Sequence, residues 1–320
     1  MYKIAESVTK YHPDKICDQI SDAIVDACID QDPLSRVAVE TMGGHGQIHL
    51  TGEVTTKADV DYEAIAAQVY FDLMGKDIDI EENIVHQSPD ISQGVDSGGA
   101  GDQGIMIGYA CNENESHIPQ ELYICRKLLA PFNTDGKSQV VLDNTGNMLN
   151  VVLSVQGKTQ KELLEYFGGF IATNYPKNPM PSVYCNNTGS FDIGGFDADA
   201  GVTGRKIVVD AYGPRVPVGG GAFSGKDTTK MDRSAAYMAR YIALHLLKEK
   251  GAKEVMVKIG YVIGKAEPLL KQALIDGVEE TFDYDCRPRA IIDLLDLRKP
   301  IYRKSAEIGP FGNDTFNWEK

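Results

Sequence analysis

Cationic side chains stand beside glycine-rich loops at two places in the last third of the chain. Lys226 follows the glycines of segment 219–225, and Arg205 and Lys206 follow Gly204. Glycines let backbone N–H groups approach an anion closely, and lysine and arginine neutralise phosphate charge. The pattern therefore predicts loops that bind a polyphosphate.

Segment 220–227 nearly matches a P-loop, in which a glycine and a lysine precede a magnesium-binding serine or threonine. Asp227 stands at the hydroxyl position, and Pro214 and Pro217 stand where a hydrophobic strand should lead into the loop. An NTPase or phosphotransferase stays open as an alternative, although the missing hydroxyl argues against it. Taken alone, the segment could also be a surface loop with chance lysines.

Near the N-terminus, His12, Pro13, Asp14 and Lys15 combine a proton donor, a carboxylate and an ammonium. Apolar residues at helical spacing predict a helix from Pro13 to Gln31, and proline suits its first turn. The dipole at a helix start favours anions. On its own, this motif is more typical of helix capping than of catalysis.

The same helix carries an aspartate at every fourth position from Asp14 to Asp30. These residues lie about 200° around the helix axis from the apolar residues near Ile20. From Asp18 onward we expect a solvated acidic face, because like charges at this spacing are only mildly destabilising in water. Asp14 differs because it lies at the helix start.

The elements that position these loops follow a repeated order. Two strands and a helix are predicted at 36–42, 47–55 and 59–74, and the same order returns at 138–143, 148–155 and 159–174. A duplicated α+β unit is the simplest explanation. In the last third we expect a strand at 206–210, a helix at 232–250, a strand at 254–262, and helices near 268–282 and 289–298.

Three glycine-rich loops interrupt this scaffold, at 88–104, 188–204 and 213–227. Loops of this length in a compact protein are usually functional or disordered. The first contains Asp90, Asp96 and Asp102, which suggests a mobile acidic lid, since their spacing does not fit an EF-hand. The aromatic tail at 310–320 is expected to dock on the body of the protein.

The composition narrows the functional classes. The chain has 320 residues, of which 42% are hydrophobic and 24% charged, which is typical of a globular protein of two or three domains. A net charge of −14 argues against binding to nucleic acid or an anionic membrane. Six dispersed cysteines suggest reduced thiols, and the absence of a signal-peptide pattern predicts a cytoplasmic location.

Taken together, the loops resemble the S-adenosylmethionine synthetase (methionine adenosyltransferase) family almost from end to end. The hexapeptide GAGDQG at 99–104 and the nonapeptide GGGAFSGKD at 219–227 are similar to the two signatures of that family. The other matching motifs are HPDK at 12–15, QSPDI at 87–91, KSQV at 137–140, TGRK at 203–206 and DRS at 232–234. Finding both signatures intact and in order makes coincidence unlikely.

The resemblance implies an α+β fold with three similar domains, each a β-sheet with helices on one face, around a pseudo-threefold axis. The domains would span 1–98, which includes a gating loop, 99–191 and 192–320. It also implies a homodimer with active sites at the subunit interface, which often pairs into a tetramer. A tetramer is less expected here, because the chain is shorter than typical members, including after Glu267.

The implied reaction joins ATP and L-methionine. The thioether sulfur displaces tripolyphosphate from C5′, and tripolyphosphate is then hydrolysed to pyrophosphate and phosphate. A thioether needs no deprotonation, so the demand falls on cations that meet the leaving group.

The resemblance also implies roles for individual residues. The catalytic residues would be His12, Asp102, Lys137, Arg205 and Lys226. ATP would be bound by His12, Asp135, Lys137, Phe191, Asp199, Arg205, Lys206, Ala222 and Lys226. Methionine would be bound by Glu53, Gln87, Asp102, Asp199 and Lys230. Two magnesium ions per site would be held by Asp14 and Asp232, and potassium by Glu40.

Three positions depart from the family pattern. Tyr11 replaces a glycine, Ser190 replaces an arginine before the adenine-stacking Phe191, and Val218 replaces a histidine. The Ser190 change removes a cation beside the nucleotide and is the one expected to weaken its affinity most. These departures keep open a third hypothesis, a non-catalytic family member that binds nucleotide without turnover.

Overall fold

The computed structural model describes residues 2–86 and 98–320. Its strands are β1 (Lys3–Val8), β2 (Arg36–Gly44), β3 (Gln47–Thr55), β4 (Asp79–His86), β5 (Gly104–Cys111), β6 (Gly136–Leu142), β7 (Met148–Val155), β8 (Ser182–Cys185), β9 (Gly201–Val202), β10 (Glu254–Tyr261), β11 (Leu270–Ile275) and β12 (Val278–Glu280). Its helices are α1 (Pro13–Gln31), α2 (Tyr62–Met74), α3 (Gln120–Leu129), α4 (Gln160–Asn174), α5 (Ile207–Asp210), α6 (Met231–Lys250), α7 (Pro288–Leu295) and α8 (Tyr302–Ala306).

The described strands form three four-stranded sheets, which confirms the predicted α+β class. The first has the order β4-β3-β2-β9, and the second the order β8-β7-β6-β1. In both, an antiparallel hairpin is followed by a helix, as the duplicated pattern predicts. A third strand, which the sequence analysis did not predict, then pairs in parallel with the hairpin. The third sheet, β12-β11-β10-β5, is antiparallel throughout.

One edge strand of each sheet comes from a distant part of the chain. β9 lies far beyond its partners β2 to β4 in sequence, β1 far before β6 to β8, and β5 far before β10 to β12. The sheets therefore interleave along the sequence. The boundaries at 98–99 and 191–192 stay a prediction.

Each sheet is covered by one principal helix, namely α1 on the first, α3 on the second and α6 on the third. Helix α6 lies so close to β5 that a Cβ added at Gly108 would overlap the backbone of Ala239. The helix ends at Gly251, whose left-handed φ of 62° closes the last turn as the sequence predicts.

Two sequence predictions in the last third were wrong. The strand expected at 206–210 is the short helix α5, and the helix expected near 268–282 is the hairpin of β11 and β12. Asp276 and Gly277 form the hairpin turn with φ values of 49° and 81°, as in a type I′ turn. An Asp-Gly pair between apolar runs was the local signal for this hairpin.

The acidic face of α1 was also predicted wrongly. Asp18 and Asp22 are fully buried, and only Asp30, at the end of the series, is exposed. Backbone N–H groups of segments from the last third of the chain donate to Asp14, Asp18, Asp22 and Asp26. Later loops therefore cover the face that spacing alone assigned to solvent.

The tail and the cysteines behave as expected. Phe311, Phe316 and Trp318 are buried, and the indole of Trp318 donates to the carbonyl of Pro310. All six cysteines are free and buried. Within residues 2–86 and 98–320, no helix is long and apolar enough to cross a membrane.

The carboxyl of Asp26 is expected to make the free energy of unfolding depend on pH. Its carboxylate accepts the N–H groups of Tyr302 and Arg303 at 2.9 Å, yet burial raises its pKa to about 7. An unfolded aspartate titrates near 3.9, so between these pH values the folded chain retains a proton that the unfolded chain has lost. This contribution to stability is present below pH 4 and falls by at most about 1.4 kcal/mol per pH unit as the pH rises to 7.

Urea unfolding of the wild type and Asp26→Asn between pH 4.5 and 7.5 checks this. The stability of the wild type relative to the variant should decrease as the pH rises. A difference that stays constant over this range would contradict the assignment.

Candidate functional site

His12 lies at the start of α1 and caps the helix through its ring. Its Nδ1 accepts the N–H of Asp14 at 3.2 Å, which leaves the proton of the neutral ring on Nε2. Burial, reinforced by the charge of Lys206, lowers the pKa of His12 to about 4. At neutral pH the ring is therefore an uncharged hydrogen-bond donor.

Several of the predicted phosphate-binding residues surround this ring. Asp14, Lys137, Asp199 and Lys206 all act on the protonation of His12 through their charges. Lys206 Nζ donates to Asp14 Oδ2, and Arg205 Nε lies 3.2 Å from Asp14 Oδ1. These six residues, His12, Asp14, Lys137, Asp199, Arg205 and Lys206, are called the His12 cluster below.

The nucleotide residues Asp135 and Phe191 lie on the β6 side of this cluster. Asp135 precedes β6, accepts the N–H of Gly195 at 2.9 Å, and has a pKa raised by burial. The carbonyl of Phe191 accepts the N–H of Gly157 at 2.8 Å, and its side chain is half-buried. These two hydrogen bonds hold the loop after β8 at Gly195 and at Phe191. The half-buried ring of Phe191 remains accessible to a base.

A second group forms around Lys226, at the N-terminal end of α6. Lys226 Nζ lies 2.6 Å from Asp232 Oδ2, and Lys230 Nζ lies 2.8 Å from Asp227 Oδ2. Glu40 is an exposed residue at the edge of this group. Partial desolvation raises the pKa of its carboxyl, and the negative charge of Glu53 also raises it, whereas the positive charge of Lys226 lowers it. The residues Glu40, Glu53, Lys226, Lys230 and Asp232 are called the Lys226 cluster below.

Ala222 connects the loops of the two clusters. A Cβ added at Gly204 would lie 2.6 Å from the Cβ of Ala222, so the loop that precedes Lys226 passes directly beside the start of the Arg205 loop. Within the described parts of the chain, no hydrogen bond or ion pair joins a side chain of one cluster to a side chain of the other. The structure therefore groups most of the predicted residues into two adjacent sets.

One predicted site residue among those that the structure describes, Asp102, is not joined to either cluster. Asp102 is exposed, and its carboxylate accepts the N–H of the adjacent Gln103 at 2.7 Å. Across residues 2–86 and 98–320, no hydrogen bond or ion pair links Asp102 to another predicted site residue. Gln87, with the gating loop that follows it, lies outside the described residues.

Asp14 and Asp232 suit magnesium by donor type. This ion is commonly held by one or two carboxylates plus substrate phosphates rather than by a closed protein cage. The described residues contain no group of three or more His, Cys, Asp or Glu placed to hold an ion. The backbone of Gly221 lies against the carboxylate of Asp232. A Cβ added at Gly221 would overlap this carboxylate, so the position requires glycine.

The near P-loop is not built as a P-loop. Asp227 is fully buried, and its carboxylate accepts the N–H groups of Val37 and Thr229, both at 2.7 Å, besides Lys230. Asp227 therefore cannot supply the hydroxyl that binds magnesium in a P-loop, and its carboxylate is already occupied by these donors. The geometry therefore disfavours a phosphotransferase that uses this loop.

The positions that depart from the family pattern lie at the edges of the site. Lys10 Nζ lies 5.7 Å from the ring centroid of Tyr11, beside His12. Ser190 is exposed, and Val218 packs against the core near Asp232. The lysines and the arginine that the family resemblance implies for the two clusters are all present in the described chain.

Sequence reasoning missed the residues that hold the loops. Glu6 pairs with Lys137 at 2.9 Å, and Asp22 binds both Gly225 and Arg233. The signal for Asp22 was present, because buried backbone N–H groups in glycine loops need acceptors. The series of aspartates on α1, for which the sequence suggested no partner, could have supplied these acceptors.

A partly buried hydrogen-bond donor and several cations beside carboxylates are typical of a site that binds a polyphosphate group. Comparison with known proteins specifies the class further. The N-terminal, central and C-terminal domain models of S-adenosylmethionine synthetase match residues 1–92, 97–191 and 193–320. The chain belongs to the S-adenosylmethionine synthetase family.

Similar curated proteins carry the same name. The S-adenosylmethionine synthase of Brachyspira hyodysenteriae is 40% identical over 376 aligned positions, covering 100% of this chain and 95% of that protein. The Sorangium cellulosum synthase is 41% identical, with 99% and 86% covered, and the Mesoplasma florum synthase is 40% identical, with 99% and 96% covered. The 376 positions exceed the 320 residues of this chain, so the alignment leaves gaps in it, as its predicted shortness requires.

The state of His12 is open to direct measurement. Because burial lowers its pKa to about 4, its NMR signal should show no protonation between pH 5.5 and 8. The signal can be assigned among the six histidines by its loss in His12→Gln. Lys206→Ala should raise the midpoint, since it removes a nearby positive charge, whereas a wild-type midpoint between pH 6 and 7 would contradict the structure.

Proposed function

We propose that this chain synthesises S-adenosylmethionine from ATP and L-methionine and then hydrolyses the tripolyphosphate that it releases. Membership of the S-adenosylmethionine synthetase family supports the overall reaction. The observation that supports the mechanism is the convergence of Lys137 and Lys206 on the partly buried, neutral His12, with Arg205 paired to the neighbouring Asp14.

The chemistry requires little acid or base catalysis. The sulfur lone pair forms the bond to C5′ while the bond from C5′ to the oxygen of tripolyphosphate breaks, and the negative charge leaves with the phosphate. Preorganised cations in a site that excludes water lower such a barrier most effectively. Water then cleaves tripolyphosphate into pyrophosphate and phosphate.

Each cluster has a defined task in this proposal. His12 donates from Nε2 to the polyphosphate near the breaking bond, while Lys137, Lys206 and Lys226 neutralise its charge. Arg205, whose side chain is half-exposed, also orients the chain for hydrolysis. Adenine stacks on Phe191, and the remaining nucleotide contacts come from Asp135, Asp199 and Ala222.

Methionine binding draws on residues of both clusters and on two further residues. Its ammonium and carboxylate are held by Glu53, Gln87, Asp102, Asp199 and Lys230. Gln87 and the rest of the gating loop that the resemblance implies lie outside the described residues, and the role of that loop in excluding water from C5′ stays a prediction.

Metal ions serve this family generally. We infer that Asp14 and Asp232 hold two magnesium ions and that Glu40 holds potassium, where a cation would offset the negative charge that Glu40 shares with Glu53. Bound magnesium supplies further neutralisation of the polyphosphate. Without substrate, Lys206 and Arg205 neutralise Asp14, and Lys226 neutralises Asp232.

We further infer a homodimer whose active sites combine the His12 cluster of one protomer with the Lys226 cluster of its partner. The open sheet faces support a partner, because exposed apolar residues lie opposite the covering helices, including Ile4, Met42 and Ile105, which are 45%, 50% and 57% exposed. The exposed Asp102 would find its site partners across this interface. Tetramer formation, a cytoplasmic location and the absence of a nucleic-acid partner stay predictions.

A product-resolved assay tests the function. Incubation with ATP, methionine, Mg²⁺ and K⁺ should yield S-adenosylmethionine with equal amounts of pyrophosphate and phosphate. ADP with a phosphorylated acceptor would instead support a phosphotransferase. ATP binding without turnover at millimolar substrate would support a non-catalytic family member.

Complementation tests the shared site. Lys137→Ala and Lys226→Ala should each lower turnover roughly 10²-fold, because each removes a charge that meets the leaving group. In a mixed dimer, one site contains both substitutions and the other contains neither. After subunit exchange at equal concentrations, about a quarter of wild-type activity should return, since half of the dimers are mixed and each has one intact site.

Equal melting temperatures of the two variants serve as the folding control. Mixing that restores no activity, although mass spectrometry detects mixed dimers, would place both lysines in the site of a single protomer.

A further inference from the structure

The buried aspartates of α1 hold the loops that carry the catalytic cations. Asp14 Oδ1 accepts the N–H of Val202 at 3.0 Å, Asp18 Oδ1 that of Gly204 at 2.8 Å, and Asp22 Oδ1 that of Gly225 at 2.8 Å. Arg205 and Lys226 directly follow these last two glycines. Successive turns of one helix thus fix the two loops that the proposed reaction needs.

Asp22 has the most direct connection to a catalytic side chain. Its second oxygen accepts Nη2 of Arg233, and Nη1 of the same guanidinium donates to the carbonyl of Lys226 at 2.8 Å. Asp22 therefore holds the backbone immediately before Lys226, and through Arg233 the carbonyl of Lys226 itself. Both Asp22 and Arg233 are buried, so water cannot replace these contacts.

The backbone between these contacts has little freedom. Gly225 has a left-handed φ of 81°, and an added Cβ would overlap the carbonyl of Val39. The N–H of Val39 donates to the carbonyl of Gly225 at 2.9 Å. Asp22 thus completes a set of bonds that fixes the direction in which Lys226 leaves the loop.

We infer that Asp22 and Arg233 are positioning residues for Lys226 in the proposed reaction. They do not contact the substrate; they place the Lys226 ammonium where the polyphosphate departs. The inference rests on the proposed function, because it assigns to Lys226 the charge that it would neutralise. A displacement of about 1 Å in such a group can lower turnover by as much as about 10²-fold.

The competing explanation is that Asp22 only stabilises the fold. Asp26 provides a matched control one turn further along α1, because its carboxylate also accepts backbone N–H groups from a later segment. That segment is α8, which carries none of the proposed catalytic residues, although the ring of its Tyr302 lies 4.5 Å from the Arg233 guanidinium. Asp30, which is exposed, controls for the loss of charge alone.

The test uses Asp22→Asn, Asp26→Asn and Asp30→Asn in the full-length enzyme, with and without Lys226→Ala. Turnover and KM for ATP and methionine are measured well below each variant's melting temperature. Asp22→Asn should lower kcat roughly 10- to 100-fold with a smaller change in KM, and Asp26→Asn and Asp30→Asn should change kcat by less than about twofold.

The double substitution separates positioning from stability. If Asp22 acts through Lys226, Asp22→Asn should lower kcat by less than about twofold once Lys226 is alanine. Independent effects that multiply in the double variant would overturn the inference. The same holds if Asp26→Asn lowers kcat as much as Asp22→Asn does.

Arg233→Lys covers the case in which Asp22→Asn does not fold. It retains a positive charge beside Asp22 but loses the planar fork that reaches both Asp22 and the carbonyl of Lys226. It should lower kcat in the same Lys226-dependent way. Wild-type kcat in a folded Arg233→Lys enzyme would contradict the inference.

Binding of inorganic tripolyphosphate, measured by calorimetry in a buffer with a metal chelator so that the proposed hydrolysis lacks its metal ions, applies the same cycle without turnover. This measurement tests the positioning role separately from the proposed function. The proposed function fails if the wild type forms no S-adenosylmethionine, whatever the binding result is. Asp22→Asn should weaken binding of tripolyphosphate only when Lys226 is present. Equal weakening in both backgrounds, or a wild type that does not bind tripolyphosphate, would overturn the positioning role.

Discussion

The buried hydrogen bonds between the carboxylates of α1 and the backbone of later loops are the constraint on which the site depends. A glycine loop can expose its N–H groups to an anion only if its remaining polar groups are satisfied, since an unpaired buried N–H is costly. Asp18 and Asp22 accept the N–H groups of Gly204 and Gly225 at 2.8 Å. The helix thereby converts two flexible segments into a fixed cationic surface.

Carboxylates of α1 and α6 also reduce the repulsion between the cations. Cations held close together repel one another, and their burial is costly unless each has a partner. Asp14 pairs with Arg205 and Lys206, and Asp232 pairs with Lys226. In the proposed reaction the cations would therefore be in place before the polyphosphate binds, which would limit the reorganisation needed.

How much could be predicted from the sequence depends on the range of the interaction. Helix α1, with its proline start, and the hairpin of β2 and β3 follow from local periodicity and turns, and the structure confirms them. The pairing of β1, β5 and β9 with distant strands has no local signal, and neither has the burial of Asp22, which depends on loops about 200 residues away. Only the family resemblance brought the loop residues together, and their individual roles stay predictions.

The location of these anchors also explains how a short chain can keep the loops of the proposed site in place. The relatives align over more positions than this chain has residues, so they have segments that this chain lacks. The loops that carry Arg205 and Lys226 are bound to α1, which packs against the first sheet and is buried along most of its length. Shortening of peripheral segments leaves those bonds unchanged, because neither the donors nor the acceptors lie in the periphery. A loss within α1 would instead release both loops at once.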